Sequence, residues 1–308
     1  MSEQGVEVWS GGVNTWECDE MGHMNVRFWV AKAQEGLAGL AAQLGMPRAF
    51  ACDGESTLVV REQHIRFLRE AKAGASLHMT GGVVAIGECD ARLLLVIRHL
   101  DGQPAATFQL VVDHATAREL RPFPWPQRLR ERAAEFMIDV PAFAAARSID
   151  LSPVVATASL PRADELGLKR IGLGVIGPTE CDVFGRMRPE LFIGRVSDGV
   201  GRLFGDVRPG PADGDPEARI GGAVLEYRVL HLDWPHAGDG VELRSGFAGC
   251  DARTRRVIHW MVDPQSGRPW ASAEAVVVSF DLDRRKVVDI SEEAQAAFHA
   301  ASPDGLAL

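Results

Sequence analysis

The sequence lacks most of what would place it in a membrane, on nucleic acid or around a metal. No apolar run approaches the roughly 20 residues that a membrane span needs. The start, Met1-Ser2-Glu3-Gln4-Gly5, has no basic and then apolar signal segment. The five cysteines form no CxxC pair and are odd in number, so a reduced, cytoplasmic setting is the simplest expectation. Lys and Arg (33) are outnumbered by Asp and Glu (42) and are scattered. The net charge of −9 argues against a nucleic-acid or anionic-membrane surface, while leaving room for a local basic patch that meets a phosphate. No metal is expected: Cys18, Asp19 and His23 would need further ligands, and no paired Cys/His spacing supplies them.

What is present is enough for two cores. The chain of 308 residues fits two domains of about 100–150 residues each, and a hydrophobic content of 46% is ordinary for such domains. The stretch Asp19-Glu20-Met21-Gly22-His23-Met24-Asn25 gathers a carboxylate, a flexible glycine, an imidazole and an amide. It follows a short β-prone segment, Val6 to Val13, and opens a helical stripe of Val26, Val30, Ala33, Leu37, Leu40, Ala41 and Leu44. The reading is strand, tight loop, helix N-terminus. Such a terminus offers unpaired backbone N–H groups to a developing oxyanion, with Asp19 nearby as base or nucleophile.

After the helix come four strand-like segments, Thr57–Leu68, Leu77–Gly87, Arg92–Leu100 and Ala105–Asp113, giving an α+β unit. Then Arg121-Pro122-Phe123-Pro124-Trp125-Pro126 breaks regular structure, and a connecting helix is expected over 128–147, interrupted near Pro141. The same unit then returns. Glu180-Cys181-Asp182 repeats Glu17-Cys18-Asp19 at an offset of 163 (181 − 18), with Gly185 and Met187 in register, Arg186 for His23 and Arg188 for Asn25. A helix from about Pro189 and strands near Ile220–His231, Val241–Ala248, Val257–Val262 and Ala271–Phe280 follow. Cys89-Asp90-Ala91-Arg92 also recurs, as Cys250-Asp251-Ala252-Arg253. Two matches in one order indicate an internal duplication. The expected layout is a first unit at 1–120, a Pro-rich and helical linker at 121–165, a second unit at 166–290 and a marginal tail at 291–308.

The order strand, Asp-x-x-Gly-His-x-Asn, buried helix, four strands resembles the hotdog-fold acyl-CoA thioesterases of the 4-hydroxybenzoyl-CoA thioesterase superfamily. Its repetition extends the resemblance over nearly the whole chain. The resemblance implies two tandem hotdog units, each an antiparallel sheet wrapped around a central helix, together forming a pseudo-dimer. It implies hydrolysis of an acyl-CoA or acyl-carrier-protein thioester without a metal or redox cofactor. In it, Asp19 activates water or attacks the carbonyl, backbone N–H groups near Val26 polarise that carbonyl, and His23 and Asn25 orient water or the acyl group. Glu35, on the same helix, is a second candidate base. Candidate substrate contacts are Gly22, Val26, Arg186, Arg188 and His64; Arg186 and Arg188 either meet CoA phosphates or a substrate carboxylate, or seal a dead second site through a salt bridge with Asp182 or Asp198. The pattern departs from relatives where Val26-Arg27-Phe28-Trp29 stands for their second Asn and Tyr. The alternatives are a hotdog enoyl-thioester hydratase or dehydratase and a non-catalytic acyl-CoA-binding protein. A fused pair already meets the minimal dimer of the family, although exposed sheet edges favour further homo-oligomers.

Overall fold

The computed structural model describes residues 5–205, 220–284 and 286–308, so the start read above, Met1–Gln4, lies outside the described residues. The chain divides into two compact units. The first takes Met1–Arg147 together with Thr179–Ile193, and the second takes Ser148–Pro178 and Gly194–Leu308. The repeated motif loop thus belongs in space to the first unit, although its sequence lies within the second repeat.

The first unit runs β1 (Val6–Gly12), α1 (Val26–Gln43), β2 (Ser56–Phe67), β3 (Ser76–Ile86), β4 (Asp90–His99), β5 (Pro104–Thr116) and α2 (Gln127–Ala134). Its strands pair antiparallel in the order β1-β3-β4-β5-β2. The apolar stripe of α1 buries Val30, Ala33, Leu37, Leu40 and Ala41 completely, against β1, β3 and β4. Gly39 is what lets the helix lie this close: a Cβ there would sit 2.2 Å from the Val8 carbonyl oxygen.

β4 shows why its sequence does not alternate. Leu95 turns toward Leu40 of α1, while Leu94 and Val96 point the other way, against Ala144, Ile138, Val140 and Phe143. Both faces of the strand are covered, so Leu93-Leu94-Leu95-Val96-Ile97 is apolar throughout. The covering segment corrects the helix expected over 128–147. α2 ends at Ala134, because the chain beyond it pairs with β3 through Val83 N–H to the Phe136 carbonyl (2.9 Å) and Ile138 N–H to the Val83 carbonyl (2.9 Å).

The second unit runs α3 (Leu160–Glu165), β6 (Lys169–Val175), α4 (Glu190–Gly199, whose first turn belongs to the first unit), β7 (Ile220–His231), β8 (Gly240–Cys250), β9 (Thr254–Val262), β10 (Pro269–Asp281), β11 (Lys286–Val288) and α5 (Glu292–Ala300). Its order, β7-β10-β9-β8-β6 with β11 on β10, repeats the topology of the first. The two units are therefore tandem hotdog folds. Leu168, Ile258, Trp260 and Val262 pack outward under Ala158 and Ala163. The tail is more ordered than its composition suggests. Ser291 caps α5 through its side chain, Phe298 is fully buried, and the Leu308 carbonyl accepts from Thr157 N–H (2.9 Å).

Candidate active site

The motif loop between β1 and α1 is a closed turn. Asp19 N–H donates to the His23 carbonyl (2.8 Å), and Gly22 N–H to the Asp19 carbonyl (3.0 Å). Gly22 sits at φ +78°, where an L side chain is strained. Asp19 Oδ1 accepts from both Met21 N–H (3.0 Å) and His23 N–H (3.1 Å). One oxygen of the expected catalytic carboxylate therefore holds the loop. Oδ2 accepts nothing from the described residues.

Asn25 is the N-cap of α1, its side chain accepting from Arg27 N–H at 3.0 Å. Its own carbonyl accepts from Phe28 N–H (2.9 Å). The Val26 amide remains: at the first helical position it has no intrahelical acceptor, and no other described residue provides one. The loop thus presents an open carboxylate oxygen and an unsatisfied N–H at the positive end of an 18-residue helix.

His23 is buried and turns its Nε2 to Glu70 Oε2 at 3.2 Å. Sequence reasoning missed Glu70, which lies just beyond β2 and carries no periodic signal. It also missed the brace beneath the loop. Glu17 Oε1 accepts from Lys32 Nζ of α1 (2.8 Å), Glu17 Oε2 accepts from Asn14 N–H (2.7 Å), and the Glu17 carbonyl accepts from Asn25 N–H (2.9 Å). Lys32 also lies over the Trp9 ring, 5.3 Å from its centroid. Burial pulls the Glu17 carboxyl up, but Lys32 and the Asn14 donors outweigh it and leave it below the usual range. The repeat held the clue: Glu180 and Arg195 stand at the same offset of 163.

The other expected residues are not assembled with the loop. Glu35 is exposed and accepts from the Trp9 indole N–H at 2.8 Å. His64 is buried on the sheet face turned away from α1, where its Nδ1 lies 3.3 Å from Gln109 Nε2, which also donates to the Ala144 carbonyl (2.8 Å). Gln109 pairs with outward-facing Leu94, which fixes that face.

The second loop is the same turn with its opening closed. Asp182 Oδ1 accepts from Phe184 N–H (2.8 Å) and Arg186 N–H (3.0 Å), and Gly185 takes φ +82°. Here Oδ2 is occupied, by Arg186 Nε (3.0 Å) and Nη2 (2.9 Å). Arg188 Nη1 lies 3.3 Å from Glu190 Oε1. Glu190 is buried at the start of α4. Desolvation raises its carboxyl, and its own backbone amide, Arg188 and Arg27 pull it back without cancelling the rise. Among the described residues no group of three or more His, Cys, Asp or Glu is placed to hold a metal, and no helix is long and apolar enough to cross a membrane.

Comparison with known proteins agrees with this architecture. No curated protein matches the chain significantly. Solved structures do. One described provisionally as an oleoyl thioesterase from Lactobacillus plantarum is 12% identical, covers 87% of this chain and 94% of its own, and superposes with a TM-score of 0.65. The 12:0-ACP thioesterase from Umbellularia californica is also 12% identical, covers 88% and 93%, and gives 0.63. An acyl-ACP thioesterase from Bacteroides thetaiotaomicron is 9% identical, covers 87% and 96%, and gives 0.62. At such identities the likeness is one of fold. The family model described as the thioesterase-like superfamily matches residues 13–133 and again 176–298, most of the chain in two repeats. The chain belongs to the thioesterase-like superfamily and is a thioester hydrolase.

Proposed function

We propose that the chain hydrolyses an acyl thioester of coenzyme A or of an acyl carrier protein at a single competent loop, that of Asp19. One contrast carries the reading. The two loops share one hydrogen-bond frame, yet Oδ2 is open in Asp19 and taken by Arg186 in Asp182. In the first loop Asp19 Oδ2 serves as base or nucleophile. The Val26 N–H stabilises the oxyanion as the carbonyl becomes tetrahedral. The His23 imidazole, held by Glu70, and the Asn25 cap orient water or the acyl group. Gly22 keeps the turn open to the substrate. In the second loop Arg186 and Arg188 are engaged by carboxylates and close the site. Both carriers stay in view because two of the similar structures are described as acting on acyl-ACP.

Thiol release from acyl-CoA and acyl-carrier-protein substrates tests this. Asp19→Asn is expected to lower kcat by 10²–10⁴-fold, the usual worth of an acid–base group. Asp182→Asn is expected to stay within about threefold of wild type. Equal losses in both variants would mean two working sites. Hydration without thiol release, or binding without turnover, would favour the other two readings of the fold.

A further inference from the structure

In the second unit, Arg255 of β9 is 2% exposed, yet its Nε and Nη1 are buried without a hydrogen-bond acceptor among the described residues. The other buried arginines among the described residues are engaged: Arg186 by Asp182 and Arg228 by the Asp150 carbonyl. Around Arg255 stand aromatic rings instead. The guanidinium carbon lies 5.3 Å from the Phe204 centroid and 5.5 Å from that of Phe298. Phe247 bridges these two, at 5.4 Å and 4.9 Å. Ring faces attract the cation but accept none of its in-plane N–H groups.

Among the described residues no anion balances it. The one titratable group acting on Arg255 is Cys250, and burial together with Asp251 pushes that thiol up, so it is neutral at pH 7. Burial pulls Arg255 itself down to about 10, which still leaves it charged at neutral pH. A buried cation with unused donors favours an acceptor from outside, since leaving such groups unpaired costs more than the bond itself gains.

We propose that Arg255 and the surrounding phenylalanines form a binding site for a carboxylate carried on an apolar body, such as a medium-chain fatty acid. The planar fork of arginine matches a carboxylate. One guanidinium balances one negative charge. A phosphate dianion would need a second cation, and no described residue supplies one beside Arg255. Phe204 is the partly exposed ring and meets the body of the ligand, with Phe247 and Phe298 buried behind it. The site lies apart in sequence from the Asp19 loop, and its occupancy does not depend on which carboxylate performs the chemistry.

Titration calorimetry on the full chain tests this, with decanoate below its aggregation limit as the probe, and decanol and inorganic phosphate as comparisons. Wild type and Asp19→Asn are expected to bind decanoate alike. Arg255→Met is expected to weaken binding at least tenfold, and decanol and phosphate to bind wild type at least tenfold more weakly than decanoate does. Arg255→Lys keeps the charge but loses the fork; the same tenfold loss is expected, and it serves if the Met variant does not fold. Decanoate affinity unchanged in the arginine variants, phosphate binding as tightly as decanoate, or no decanoate binding by wild type would overturn the proposal.

Discussion

Replacing Asp19 in two ways separates its two oxygens. Oδ1 accepts two backbone N–H groups of its own turn, and the corresponding oxygen of Asp182 does the same. Asp19→Ala removes that acceptor and leaves two loop amides to find water. At about 1 kcal/mol net for each bond, and more where the acceptor is charged, the loss is about 2–3 kcal/mol in this half-buried turn. Asp19→Asn keeps an acceptor oxygen in the same place and loses only the charge, so it costs about 1 kcal/mol or less. Both variants abolish the open carboxylate oxygen and are expected to lose turnover alike. Urea unfolding followed by tryptophan fluorescence, paired with thiol release, reads both quantities. The expected pattern is equal activity loss with unequal stability loss. If Ala and Asn were equally stable within about 0.5 kcal/mol, the holding role of Oδ1 would be wrong. If Asn kept activity within tenfold, the catalytic carboxylate would lie elsewhere.

Three further outcomes follow from the charges around the loops and from the backbone of the turn. Lys32→Met strands the buried Glu17 carboxylate and should cost about 3 kcal/mol at pH 7. Because Glu17 is held below its usual range, the stabilising effect of the pair is present above about pH 4.3 and is lost as pH falls through the lower folded value, so in acid unfolding the gap between variant and wild type should close. Glu190 runs the opposite way. Its raised carboxyl contributes stability below the ordinary glutamate value and loses it as pH rises through the folded value, so Glu190→Gln should be more stable than wild type at pH 8 and equal to it near pH 4 by thermal melting. Gly22→Ala forces an L side chain to φ +78° and should cost about 1–2 kcal/mol in the same urea assay.

Local patterning was enough to read the duplication, the strand-helix-four-strand order and the loop that opens α1. Apolar spacing marks a helix against a sheet, Asp and Asn mark turn and cap, and a repeat shows itself by offset. Where one segment covers another, the sequence is silent. The stretch after Ala134 looked helical until β3 took its backbone hydrogen bonds, and the tail looked marginal until Phe298 met a core built by other strands. The site divides in the same way. Asp19, His23, Asn25 and Val26 were legible because they are neighbours in one turn. Glu70, Lys32 and the outward face of His64 depend on which chains lie beside them, and no period encodes that. The two Asp residues are the same letter in the same motif. The sequence set Arg186 against His23 and left two uses for it; the fold decided between them by turning Arg186 onto Oδ2 of Asp182 while Oδ2 of Asp19 stays open.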